Sequence, residues 1–105
     1  MEFIPMSTVN DRYYIHLNHE VVGVLEYKMY DDGEIEIKYI KIHEEYRRMG
    51  IASRVVVRLL NMCNYITGDS LPEAMEFWKS VGAQFYNSFE NDDVILTPFI
   101  LKYNN

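Results

Sequence analysis

Residues 39–56 read YIKIHEEYRRMGIASRVV, and the hydrophobic period changes inside them. Up to Ile42 the residues belong to EIEIKYIKI (34–42), a strand pattern with period-two alternation over its first half. From Gly50 onward Ile51, Val55, Leu59, Met62 and Cys63 fall at helical spacing, which predicts an amphipathic helix of about three to four turns. A strand that passes through a turn into a helix presents free backbone N–H groups and the positive end of the helix dipole. Together these bind anions, and Gly50 lets an anion approach the backbone closely. Four of the five arginines (Arg47, Arg48, Arg54, Arg58) lie within the twelve residues 47–58 although the chain as a whole carries a net charge of -6, so the local sign opposes the global one. Two readings fit these letters: a phosphate site, or a solvated helix start whose arginines pair with Glu44 and Glu45.

Working outward, YYIHLN (13–18) and VVGVLEYKMY (21–30) are rich in β-branched and aromatic residues, and His19-Glu20 between them reads as a hairpin. DDGE (31–34) is a second turn, with Asp32-Gly33 suited to positive φ. Downstream, YITGD (65–69) is a short strand. SLPE (70–73) reads as a capping box with proline in the first turn of a second helix, whose Ala74, Phe77, Trp78 and Val81 are spaced i, i+3, i+4 and i+7 before Gly82. AQFYN and NDDVILTPFILKY are two strands around an Asn/Asp-rich turn, with Pro98 marking a bulge or an edge. The order βββαβαββ predicts one α+β domain over residues 1–105, with a mixed, mostly antiparallel sheet and two main helices.

The net charge argues against nucleic acid as a partner and favours cationic ones. The N-terminus shows no signal-peptide pattern and no apolar run long enough to span a bilayer. A lone cysteine, Cys63, suits a reducing compartment, so a cytoplasmic location is expected.

The 39–56 segment resembles the acetyl-CoA-binding strand, turn and helix of the GNAT superfamily of N-acetyltransferases, whose signature is Arg/Gln-x-x-Gly-x-Gly/Ala. Arg47, Gly50 and Ala52 occupy its fixed positions. AMEFWKSVGAQF resembles the second cofactor motif of that family through Ala74, Trp78, Gly82 and Phe85. The resemblance, over about positions 21 to 100, implies a V-shaped gap between the third strand and YITGD. Pantetheine pairs there with the backbone of Ile40, Lys41 and Ile42. The pyrophosphate of the acetyl donor, acetyl-CoA, rests on the amides of Arg48, Met49, Gly50, Ile51, Ala52 and Ser53, while Arg47 and its neighbours supply attraction. Trp78 joins the cofactor site through the second motif. No metal is implied.

Transfer to an amine needs a base, because a lysine amine with pKa ~10.4 carries a handicap of ~4.6 kcal/mol at pH 7. The candidates are Glu34, Glu36, Glu44, Glu45 and His43. Glu36 is preferred because histone-acetylating members of the family carry a glutamate at the same offset from the turn, eleven positions before Arg47; the alternative is a strand carboxylate facing Lys38 or Lys28. His43 suits a turn-capping role better than that of a base, and Cys63, on an apolar stripe, a buried structural thiol.

Two departures from the family stand out. Trp78 replaces a tyrosine that commonly protonates the departing thiolate, leaving Tyr39, Tyr46 and Tyr86 as conceivable substitutes. Family members also usually begin with a strand and two helices that wall the amine site, whereas here about 12 residues precede the first clear strand. An open acceptor side follows, suited to a protein lysine, an N-terminus or a polyamine. Phe3, Ile4, Tyr13 and Ile15 then suggest either a homodimer whose partner covers the cleft or a segment folded back over the sheet. The functional expectation is an N-acetyltransferase; the alternative is a catalytically weak acyl-CoA-binding module.

Overall fold

The hydrophobic periods become a single twisted sheet with both helices on one face. The computed structural model describes residues 1–102, so Tyr103, assigned above to the last strand, lies outside them. Four antiparallel strands come first: β1 (Glu2–Pro5), β2 (Arg12–Leu17), β3 (Glu20–Met29) and β4 (Glu34–Ile42). Helix α1 (Ile51–Leu60) then crosses over to β5 (Tyr65–Ser70), which lies parallel to β4, the arrangement that a crossover helix permits. After α2 (Met75–Ser80) come β6 (Gln84–Phe85), β7 (Phe89–Asn91) and β8 (Val94–Lys102). The sheet order is β1-β2-β3-β4-β5-β8-β6, with β7 also paired to β8.

The turns follow their residues. Asn18 and His19, both with positive φ, form a two-residue hairpin loop one position earlier than the sequence suggests. Asp92 and Asp93 do the same between β7 and β8. Gly82, at φ 99°, ends α2, where the Ala83 N–H returns to the Trp78 carbonyl.

Several expectations change. The SLPE capping box does not form: Ser70 is a buried strand residue whose hydroxyl donates to the Leu71 carbonyl, and Pro72–Ala74 make a 3₁₀ turn before α2. Helix α1 stops at Leu60, so Met62 is exposed and Val56 fills the core instead. The penultimate strand is split, because Pro98 of β8 accepts a bond from the Tyr86 N–H but has none to return, and pairing resumes only at Phe89.

The N-terminus also differs. Residues 2–5 add a strand to the sheet edge and turn Phe3 toward the core, where Ile15 is fully buried and Tyr13 stacks on Tyr27 at 4.8 Å. Of the apolar cluster from which a covering partner was expected, Ile4 alone is exposed.

Strand register places Ile15, Leu25, Ile35, Ile37, Ile66, Phe99 and Leu101 on one face, packed against Ile51, Val55, Val56 and Leu59 of α1 and Trp78 of α2. Chain reversal between β1 and β2 uses only residues 6–11, so among the described residues no helix covers the opposite face. None of the described helices is long and apolar enough to cross a membrane.

Candidate functional site

Strands β4 and β5 pair at Glu34–Tyr65, Ile35–Ile66 and Glu36–Thr67, and then separate. Two local features open the gap. Tyr27 faces Ile37 and Glu26 faces Tyr39, so Lys38 is an extra, bulged residue that turns β4. On β5, Gly68 leaves room for the Phe99 ring. Because β5 stays paired to β8 as far as Ser70–Thr97, the two parallel strands diverge like a V. A cleft of about 390 Å³ lies on the helix side of the gap, with Ile37, Lys38, Tyr39 and Ile40 on one wall and Asp69, Leu71, Ala74, Trp78, Leu96 and Phe99 on the other.

Beyond the last β5 pair, one edge of β4 has no strand beside it. The His43 N–H donates to the Val22 carbonyl at 2.8 Å, so the alternation of backbone groups points those of Lys41 at β3 and those of Ile40 and Ile42 at the gap. Arg47 Nε donates to the Ile42 carbonyl at 2.9 Å. Of the three residues expected to pair with an extended ligand, Ile40 therefore offers both backbone groups and Ile42 its N–H, while Lys41 is turned away.

At the end of β4 the chain makes a 3₁₀ turn (Glu44–Tyr46) and then enters the left-handed region at Arg48 (φ 65°) and Gly50 (φ 74°). The first helical bond runs from the Arg54 N–H to the Gly50 carbonyl. No acceptor among the described residues takes the consecutive N–H groups from Arg48 through Ser53, and no side chain caps the helix. All of these residues but Met49 line a cavity of about 210 Å³ also bounded by Ile42, Tyr46, Arg47 and Phe77, a shape suited to an anion held by backbone amides. A β-carbon on Gly50 would meet nothing within 4 Å, so the glycine answers to its φ and to the open approach, not to packing. The Glu44 and Glu45 pairing read as an alternative is not formed: the one ion pair among the described residues is Arg12–Glu26. Exposed Met49 does not line the cavity, and Arg54 and Arg58 sit farther along α1, Arg58 over the Phe3 ring at 5.8 Å.

On the helix-free side, Glu36 lies in a cross-strand row with Lys28 and Thr67. The Tyr30 hydroxyl donates to its Oε1 at 2.8 Å, which holds the Tyr30 phenol above its usual range. Glu34, the neighbouring candidate, is occupied by the Thr67 hydroxyl at 2.5 Å. A second cleft of about 270 Å³ is lined by Glu36, Thr67, Gly68, Asp69, Tyr86, Pro98, Phe99 and Ile100. Asp69 and Phe99 border both clefts. Sequence reasoning missed Thr67, Gly68 and Asp69; the glycine inside the short strand YITGD was the available signal. Glu44, Glu45 and His43 line neither cleft of the gap, and the His43 side chain caps nothing.

Trp78 is 5% exposed and stacks on Phe99 at 4.2 Å, so its indole forms a wall and offers no acidic hydrogen. Tyr46 donates to Glu20, which raises its phenol and makes it a poorer acid. Tyr39 lines the helix-side cleft and Tyr86 the other. Cys63 packs against the core, where burial pushes its thiol up and away from the thiolate.

The sequence matches the model of the acetyltransferase (GNAT) family over residues 4–83. No curated protein matches it significantly. Among solved structures it is similar to Ard1 from Thermoplasma volcanium, at 19% identity and a TM-score of 0.74, covering 90% of this chain and 72% of that one. Arabidopsis thaliana Naa50 in complex with the bisubstrate analogue CoA-Ac-MVNAL is 17% identical with a TM-score of 0.71, over 88% of this chain and 72% of that one. A GNAT family acetyltransferase from Elizabethkingia anophelis with acetyl-CoA bound is 13% identical with a TM-score of 0.65, over 88% and 75% of the two chains.

Proposed function

The chain belongs to the GNAT acetyltransferase family, and from that premise we propose that it transfers the acetyl group of acetyl-CoA to a primary amine carried by a protein lysine, a protein N-terminus or a polyamine. One observation carries the reading: beyond the Glu36–Thr67 pair the parallel strands β4 and β5 part, leaving a free β4 edge that runs toward the unpaired amides of the Arg48–Ser53 turn, with Glu36 lining a cleft beside the opening.

The donor fits the cradle. Unpartnered amides from Arg48 to Ser53 suit a pyrophosphate, and Gly50 leaves the approach free. Ile40 and Ile42 offer the backbone groups of an unpaired strand edge to an extended arm, and Arg47, anchored on Ile42, adds positive charge beside it. Acetyl-CoA supplies a thioester: the acceptor nitrogen gains a C–N bond to the acetyl carbon as the C–S bond breaks, the sulfur leaving with the electron pair. Glu36 takes the proton shed by the acceptor amine, directly or through water, with Tyr30 orienting the carboxylate. Trp78 walls the cleft without offering a proton, so the sulfur takes its proton from water or from another hydroxyl, Tyr39 lining the same cleft.

That indole also favours the second reading, an acyl-CoA-binding module with weak turnover. Incubation of the purified chain with labelled acetyl-CoA against peptides, polyamines and whole lysate separates the two. Label transferred in many turnovers supports the enzyme; saturable binding with no transfer supports the module.

A further inference from the structure

Resting on that transfer reading, we propose that Lys38 is a catalytic residue whose ammonium stabilises the negative charge that gathers on the departing sulfur, a task for which Trp78 is unfit. The free edge of β4 fixes where that sulfur stands. An extended arm that comes from the amides of the Arg48–Ser53 turn and pairs with Ile42 and Ile40 runs toward the Glu36–Thr67 pair, where β5 closes the gap. Its reactive end therefore stops beside residues 37–39. Lys38 is the bulged residue there. Regular alternation would hold it on the face of Glu36, two residues away. The bulge releases it from that pattern, and it lines the helix-side cleft with Ile37 and Ile40, across from Trp78.

Elimination leads to the same residue. Among the described residues Lys38 is the one cation that lines either cleft of the gap. Arg47 is held by the Ile42 carbonyl beside the other cavity, and the Lys28 ammonium lies over the Tyr30 ring at 5.2 Å. Lys38 is exposed and is not paired with Asp69 on the opposite wall, since the one ion pair among the described residues is Arg12–Glu26. Ile37, Ile40, Leu71, Trp78 and Phe99 make most of the cleft wall apolar, and a cation acts more strongly on a nearby anion in such surroundings than in water. The reaction needs that charge. As the acceptor nitrogen bonds to the acetyl carbon, the C–S bond breaks and its electron pair goes to sulfur. Lys38 offsets the charge until water or a hydroxyl protonates the thiolate, while the proton shed by the acceptor goes to Glu36. The role is electrostatic and not that of an acid, because an alkylammonium with pKa ~10.4 is too weak an acid to protonate the thiolate of a thiol with pKa ~8.5.

The test uses the full chain with acetyl-CoA and three acceptors: a blocked lysine peptide, a peptide with a free α-amine, and spermidine. Thiol release is followed in single turnovers, and acetyl-CoA affinity is measured by calorimetry. Lys38→Met keeps the length of an exposed side chain and removes its charge. Its rate should fall about tenfold to a hundredfold, less than for a buried donor because solvent screens an exposed cation. The factor should be the same for each acceptor that the wild type uses, because the step that suffers lies on the donor. Lys38→Arg keeps a cation and should stay within about threefold of the wild-type rate. Acetyl-CoA affinity should change less than about threefold in both variants, since the thioester is uncharged before transfer. A wild-type rate in Lys38→Met, or equal losses in Lys38→Met and Lys38→Arg, overturns this inference alone. Absence of transfer by the wild type to every acceptor overturns the transferase reading, and this inference with it.

Discussion

Gly68 lies under Phe99: a β-carbon at residue 68 would stand 2.7 Å from Cζ of the ring and 3.1 Å from the Ile37 carbonyl oxygen. The ring cannot retreat easily, because it is 3% exposed and stacked on Trp78. The glycine sits one residue past the last pair between β4 and β5, so overlap there acts on the V-shaped gap itself. Gly68→Ala is expected to destabilise the fold by ~1–3 kcal/mol and to weaken acetyl-CoA binding. Denaturant unfolding and calorimetric titration measure the two. A variant with wild-type midpoint and affinity would show that the gap does not depend on this contact.

At Gly50 the expectation reverses, since a β-carbon there meets no protein atom. Gly50→Glu should greatly weaken acetyl-CoA binding at a fold cost of only ~1–2 kcal/mol from the left-handed backbone. Gly50→Asn, which tolerates that backbone better, should fold nearly as well as wild type and still bind less tightly. Thermal shift with and without acetyl-CoA is the readout; equal ligand stabilisation in all three chains would remove the anion-cradle reading.

Glu36→Gln keeps the shape of the side chain and its bond from Tyr30 but accepts no proton. Turnover on a lysine peptide should fall by ~10²–10⁴-fold with little change in acetyl-CoA affinity. An α-amine, with pKa ~7.7–8.0, should suffer less. Unchanged kcat on the lysine peptide would return Glu36 to the role of a surface carboxylate.

Alkaline pH should destabilise the chain in a defined window. Burial, more than the neighbouring Tyr13, pushes the Tyr27 phenol up from 10.0 to about 12, and donation to Asp32 does the same for Tyr65. A group whose folded pKa is raised contributes stability that is intact below its unfolded pKa, so nothing is lost up to pH 10. Between pH 10 and about 12 the unfolded chain releases protons that the folded chain retains, and stability falls. Melting temperatures at pH 9 and pH 11.5 test this, and Tyr27→Phe should reduce the drop. Equal drops in wild type and Tyr27→Phe would assign the loss elsewhere.

How far the site was readable depended on the range of the interactions that build it. The anion cradle follows from RRMGIAS because a turn and a helix start are local: the φ of Gly50 and the unpaired amides after it are set within a few residues. Glu36 was named through the family resemblance, by its offset of eleven positions from Arg47, which lies beyond β4 and the 3₁₀ turn. Thr67 and Asp69 were not readable, because they join Glu36 only through the pairing of β5 with β4; Tyr86, named only as a conceivable acid, comes to the same cleft through the strands that pair with β8. The capping box failed for the same reason in reverse, since packing took Ser70 into the core, where its hydroxyl bonds Leu71.

From sequence alone came the α+β order, the two helices, the glycine turn with its free amides and the family resemblance, because period, glycine position and turn chemistry act over short spans of chain. Three features belonged to the tertiary structure: the bulge at Lys38, the place made for Phe99 over Gly68, and the core side of the sheet taken by Phe3, Tyr13 and Ile15. Each depends on which distant strand lies alongside. A one-residue change of register moves a side chain to the other face, and no local pattern encodes that choice.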